Sequence, residues 1–297
     1  MPAVSVAVTA YRAERDLPVL LTALDAQTLA RDEFEVVIAD DGSDDRTAEI
    51  AESWPGVRLV RAPRRRGEAA TRSLAVAGGT GPVVAICDSD CRPVPEWLEA
   101  GLADLDRLGV DLLGGHVELD LDEHPSIPAL VDFARRLDQR VAVEEAGYAV
   151  TANLFARRAV FDAVGTFTEG LRAGVDVEWV LRARDAGHPL GYSRRAAVHH
   201  PSRASARAVA RKAFDEGYGT GQWRFRARGP LGRHGPAWRA PSSWRPLRDL
   251  ADTPRIVAAG HRLSRAQRLA LDAAHYVLLQ LPTIAGSAVA TLRRGRF

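Results

Sequence analysis

Asp88 and Asp90 stand one serine apart in CDSDC, at the end of the apolar run Pro82 to Asp88. An extended chain puts residues two apart on the same side, so the carboxylates of Asp88-Ser89-Asp90 repel each other. Three other groups carry related chemistry: Asp40-Asp41 in ADDGSDDRT, Asp176 and Glu178 in GVDVEW, and His199-His200 in VHHPSR. A divalent cation, Mg2+ or Mn2+, held by a carboxylate and an imidazole would relieve the repulsion. Asp90 and His199 are its expected ligands, with His200 the alternative imidazole. Each group also has a structural use. Asp, Gly and Ser form turns, and Ser43 or Asp44 can cap a helix. Asp176 and Glu178 suit a helix N-terminus. It is the conjunction, in this order, that points to a site.

The elements that must position these residues are legible as alternating patterns. Val4–Ala10, Phe34–Asp40, 56–62 and 82–88 read as strands, with helices over 16–26, 45–53 and 68–77 between them. That alternation predicts βαβ units and a parallel sheet covered by helices, with ligands at the carboxyl ends of the strands. Thr9-Ala10-Tyr11, Asp40-Asp41 and Asp88-Ser89-Asp90 fall at those ends. Further on, the pattern predicts a helix over 96–108, a strand at 111–119, an amphipathic helix over 127–144, and a strand followed by a short helix over 150–167. A helix closed by Gly187, a strand at 196–203 and a helix over 205–216 follow.

Four segments together resemble the family 2 glycosyltransferases of the GT-A fold: VSVAVTAY, VVIADDGSDDRT, GEAATRSLAVAGGTGPVVAICDSDCRPVPEWL and NLFARRAVFDAVGTFTEGLRAGVDVEWVLRARDAGHPLGY. The resemblance spans about Val4 to Arg203. It implies an α/β enzyme with a mostly parallel central sheet that moves a sugar, with inversion, from a nucleotide-diphosphate donor of UDP or GDP type to an acceptor hydroxyl on a glycan or lipid-linked molecule. It assigns Asp88-Ser89-Asp90 to the DxD motif, Asp90 to the metal, and Asp176 to the general base. Thr9, Ala10, Tyr11, Asp40, Asp41, Arg72, Asp88 and Ser89 are assigned to the nucleotide sugar. Val175 stands where the base motif usually has glutamate, and Ser73 where an asparagine usually follows the arginine. The Gln-x-x-Arg-Trp motif of processive synthases is absent, which implies single additions. Val175 leaves a non-catalytic nucleotide-sugar-binding scaffold as the alternative. A nucleotidyltransferase would need a glycine-rich loop with a lysine after the first strand, and TAYRAERDL has neither.

Charge divides the 297-residue chain unevenly. Residues 1–202 carry 22 basic and 33 acidic side chains, whereas 203–297 carry 18 basic and 5 acidic. A basic segment can serve nucleic acid, lipid or phosphorylated substrate. No nucleic-acid-binding motif accompanies it, so nucleic acid is not expected as a partner. Ala273 to Leu292 holds no formally charged residue apart from a neutral His275, just the length of a span, and Arg293-Arg294 follow it. The expected organisation is a catalytic domain over 1–203, a basic Arg/Trp-rich extension over 204–262 and an apolar helix over 263–297. Pro282 in that helix favours lying on an anionic membrane surface over crossing it. With two cysteines and no signal-peptide pattern, the expected location is the cytoplasm, at the cytoplasmic face of that membrane.

Overall fold

The computed structural model describes residues 1–134, 138–226 and 265–292. The Arg/Trp-rich stretch beyond Arg226 and Arg293-Arg294-Gly295-Arg296 lie outside the described residues. The chain divides into two compact units: Met1–Glu118 with Asp138–Glu169 and Val175–His200, and Leu119–Leu137 with Gly170–Gly174 and Pro201–Phe297.

The first unit is built on an eight-stranded sheet of order β3-β2-β1-β4-β7-β6-β8-β5. β1 (Val4–Ala10), β2 (Phe34–Asp40), β3 (Val57–Arg61) and β4 (Val83–Asp88) are all parallel. They are joined by helices α1 (Leu17–Asp25), α2 (Thr47–Ser53) and α3 (Glu68–Gly78). β-Branched and small residues make β1 and β4 continuous buried runs, as a strand covered on both faces requires. In α1, Leu17, Leu20, Leu21 and Leu24 recur every three or four residues and are buried.

Beyond β4 the sheet changes direction. β7 (Asn153–Arg157) runs antiparallel to β4 and to β6 (Leu112–Asp120), while β5 (Arg92–Pro93) runs antiparallel to β8 (Leu190–Pro201). Asn153 ties this junction. Its Oδ1 accepts from Trp97 Nε1 at 2.9 Å, and its Nδ2 donates to the carbonyls of His116 and Ala196 at 2.8 Å each. Trp97 opens α4 (Trp97–Leu108), and the chain returns through α7 (Arg158–Val164) and α8 (Val175–Asp185).

Two expected helices differ from their sequence pattern. In place of one helix over 127–144, α5 (Ile127–Ala134) belongs to the second unit, and a separate turn α6 (Gln139–Val141) with its π-helical continuation Ala142–Ala146 belongs to the first. Asp138 supplies the new start, its Oδ1 accepting the Val141 N–H at 3.2 Å. The helix expected to stop near Glu216 instead runs on as α9 (Ala206–Arg226). Gly217, Gly219 and Gly221 weaken its propensity, but they let another backbone approach: a β-carbon on Gly217 would overlap the Thr283 carbonyl. That carbonyl belongs to the last helical stretch, which runs as α10 (Arg265–His275), a π-helical turn at Tyr276–Gln280, and α11 (Leu281–Leu292), with Thr283 near the start of α11. Leu119, Leu130, Val209, Leu271 and Leu279 share the apolar cluster of this second unit.

Candidate active site

Register brings the distinctive residues together at the carboxyl ends of the parallel strands. Thr9 lies opposite Asp88, and Ala10 opposite Asp40. The Asp41 N–H continues the ladder onto the Ala10 carbonyl at 2.9 Å. Tyr11 follows, with the Arg65 guanidinium 4.3 Å and that of Arg12 5.4 Å from its ring centre.

The two carboxylates at the end of β2, Asp40 and Asp41, are buried and shape this corner. Asp40 accepts the Ser43 N–H on both oxygens, at 3.1 and 3.2 Å, and pairs with Arg61 Nε at 3.3 Å. Between them Gly42, at φ +72°, makes a left-handed turn against the backbone of Arg64 and Arg65, where a β-carbon would sit at 3.0 Å. Asp41 reaches the start of α3, accepting from Arg66 N–H at 2.7 Å, Gly67 N–H at 3.1 Å and Thr71 Oγ1 at 2.8 Å. The turn-forming use of this pair is therefore realised. Each carboxylate offers about four acceptor positions, so these bonds leave capacity for a ligand.

Arg72, one turn into α3, is the buried cation of the site, 1% exposed. It donates from Nη2 to Glu68 at 2.5 Å and to Asp88 Oδ1 at 3.4 Å, while among the described residues its Nε and Nη1 have no hydrogen-bond partner. Burial pulls its pKa down, but the charges of Glu68, Asp88 and Asp176 outweigh that and hold it above the ordinary arginine value. One guanidinium thus answers both Asp88 at the end of β4 and Asp176 at the start of α8. Its position is fixed through Phe167, whose ring lies 5.5 Å from the guanidinium and packs on Trp179 with centroids 5.3 Å apart.

Asp90 meets an imidazole, and it is His200 rather than the expected His199: His200 Nε2 lies 3.6 Å from Asp90 Oδ1. Neighbours on a strand point to opposite faces, and in β8 it is His200, 4% exposed, that turns toward the Asp90 side. His199 stands opposite Arg92 in the β5–β8 ladder. Asp90, Cys91 and His200 offer ligand atoms all within 4.8 Å of one another. The Cys91 thiol is pushed well up, by burial first and then by the charges of Asp88, Cys87 and Asp90, so it stays protonated at neutral pH. What remains is a carboxylate and an imidazole, which fit a hard divalent ion that takes further oxygens from a ligand.

Asp176 is the second residue of α8, and its Oδ1 accepts the Val177 N–H at 2.9 Å. Glu178 is occupied differently: it is buried and bridged by Arg182 at 2.9 and 3.2 Å, while Arg182 also donates to the Thr166 carbonyl at 2.8 Å. Trp179 Nε1 reaches the Gly165 carbonyl at 2.8 Å. These contacts clamp the α7–α8 connection. Sequence reading left His199 and His200 as alternative imidazoles and missed the Phe167–Trp179 support of Arg72. Alternation from the buried Val198 would have chosen His200, since residues two apart share a face.

The family profile described as Glycosyl transferase family 2 matches residues 5–165, more than half of the chain. The chain belongs to glycosyl transferase family 2. Glycosyltransferase AglE of Haloferax volcanii is 31% identical over 207 residues, covering 68% of each chain. Dolichyl-phosphate beta-glucosyltransferase of Mus musculus is 30% identical over 116 residues, covering 34% of this chain and 36% of that one. Among solved structures, the mannosyltransferase PcManGT from Pyrobaculum calidifontis, in complex with GDP-Man and Mn2+, shares 23% identity at a TM-score of 0.64, covering 99% of this chain and 88% of that one. The fold is GT-A, and this family 2 member is a glycosyltransferase.

Proposed function

We propose that this family 2 enzyme is an inverting, metal-assisted glycosyltransferase that carries a sugar from a UDP- or GDP-type donor to a hydroxyl of a lipid-linked or glycan acceptor. The observation that carries the reading is the convergence of Asp90 and His200 beside Asp88, with Arg72 responding to both Asp88 and Asp176. The PcManGT complex with GDP-Man and Mn2+ supports the donor class and the ion. The dolichyl-phosphate relative supports a lipid-linked acceptor.

Asp90 and His200 would hold the divalent ion, with Asp88 supporting it and the donor ribose. Bound there, the ion supplies Lewis-acid stabilisation of the departing diphosphate. Thr9, Ala10, Tyr11 and Ser89 line the donor end, where Asp40 and Asp41 set the loop. Arg72 stays charged and offers Nε and Nη1 to a polar donor group. In the chemical step the acceptor oxygen bonds to the anomeric carbon as the bond from that carbon to phosphate oxygen breaks. The bonding electrons leave with the nucleoside diphosphate, and Asp176 takes the acceptor proton. A single displacement of this kind inverts the anomeric carbon. The enzyme works at the cytoplasmic face of an anionic membrane, where a lipid-linked acceptor resides.

The test is donor turnover with Mn2+, Mg2+ or chelator. Metal-dependent transfer or donor hydrolysis, abolished by chelator, is expected. Metal-dependent donor binding without any turnover would favour the scaffold reading, and turnover indifferent to metal would remove the ion from the mechanism.

A further inference from the structure

The last helical stretch carries two faces of opposite character. Five of the eight large hydrophobic residues exposed among the described residues fall here: Leu269, Tyr276, Val277, Leu281 and Ile284. The other face, through Leu271, Leu279, Thr283, Gly286 and Ala290, is buried. It seats against α9 at backbone contact, where β-carbons on Gly217 and Gly286 would overlap the Thr283 and Phe214 carbonyls.

The π-helical turn at Tyr276–Gln280 keeps these faces aligned. It absorbs one residue, so Leu271 and Ala290, nineteen apart in sequence, stand about eighteen helical positions apart, or about five turns of 3.6. The same correction spaces Leu269, Tyr276, Leu281 and Ile284 at intervals of about seven, four and three, a single apolar stripe. Pro282 follows directly, where its missing N–H would leave the Leu278 carbonyl unpaired in a regular helix, and the widened turn accommodates it.

We infer that this stripe is a membrane-docking face: α10 and α11 lie in the headgroup region of an anionic bilayer, with α9 on their inner side. Charge complementarity names the occupant. Residues 203–297 carry a net +13 against −11 for the rest, and arginines stand at both ends of the stripe in sequence, at 265 and 268 and at 293, 294 and 296. Leu269–Ala290 is long and apolar enough to cross a membrane, but crossing would strip α9 from the buried face and expose its glycines. The inference rests on the proposed membrane acceptor for its purpose, though its observations are independent of the active site.

Cosedimentation of the full chain with phosphatidylglycerol vesicles, and with phosphatidylcholine vesicles, tests it. Binding to the anionic vesicles at low salt, weakened by salt and released by alkaline carbonate, is expected. The double variant Val277→Glu and Ile284→Glu, at exposed positions, should lower the bound fraction by about tenfold or more while keeping the wild-type melting temperature and metal-dependent UDP or GDP binding. Indifference to anionic vesicles, or full binding by the variant, overturns the inference. Resistance to carbonate overturns it in favour of a span. A lipid-free dimer that the variant breaks into monomers overturns it in favour of a second copy as the occupant. Loss of nucleotide binding by the wild type would instead count against the proposed function.

Discussion

Asp90→Ala removes one of two carboxylates that repel each other and leaves His200 alone at the ion's position. The fold should stand, because an apo strand end gains nothing from that repulsion. Metal-dependent donor binding should disappear, read as the loss of the Mn2+-dependent rise in melting temperature with UDP or GDP. Unchanged metal dependence would remove Asp90 from the ion. Asp176→Asn keeps shape and the bond to the Val177 N–H but cannot take a proton at neutral pH. Donor affinity should persist while transfer falls by at least about a hundredfold, and full activity would exclude Asp176 as the base. At this scale the carboxylates were legible because two of them end buried strands, where an ionised residue needs a reason. The imidazole was less so: His199 and His200 are chemically identical, and only the facing of β8 separates them. The Ser43 N–H that Asp40 accepts belongs to the legible turn, but the other bonds that absorb Asp40 and Asp41 come from Arg61, Arg66, Gly67 and Thr71, partners that no local spacing announces.

Among elements, the lower ends of β1 and β2 are joined by one carboxylate. Burial raises Glu35, but the N–H groups of Thr80 and Gly81 and the hydroxyls of Ser5 and Thr80 outweigh it and hold the carboxyl below its ordinary value. A carboxyl depressed in the folded state stabilises fully above the unfolded value and loses that stabilisation as pH falls through the folded one. Glu35→Gln should therefore melt below wild type at pH 7, with the gap narrowing below about pH 4. A gap that is constant with pH would show that the charge is not what stabilises. In the second unit, Gly217→Ala forces α9 away from the Thr283 backbone and should cost about 1–3 kcal/mol, seen as a lower denaturation midpoint. An unchanged midpoint would mean that the helices are not held at backbone contact. The four parallel strands and their helices were readable from period alone. α9 was not, because glycines that read as helix breakers serve close packing, and neither was the break at Asp138, whose cap competes with an otherwise continuous apolar pattern.

Across the whole chain, the acidic first two thirds and the basic remainder were visible in composition, whereas the division into two units was not. Its boundaries interrupt β6 after Glu118 and set Gly170–Gly174 apart from the elements on either side, and contacts distant in sequence decide them. The sheet of the first unit has one more consequence. Its outer strands are β3 and β5. β3 is five residues long and carries the exposed Arg58 and Arg61, while β5 is two residues long and ends in Pro93, which has no N–H to offer. An open sheet normally presents unpaired backbone at both margins, a template on which a stray extended chain can grow. Here the β3 margin is short and bears exposed arginines, while β5 with its Pro93 covers β8 only at Val198 and His199, so an added chain should find little to grow on at β3, and the first unit should resist fibrillar growth from that margin.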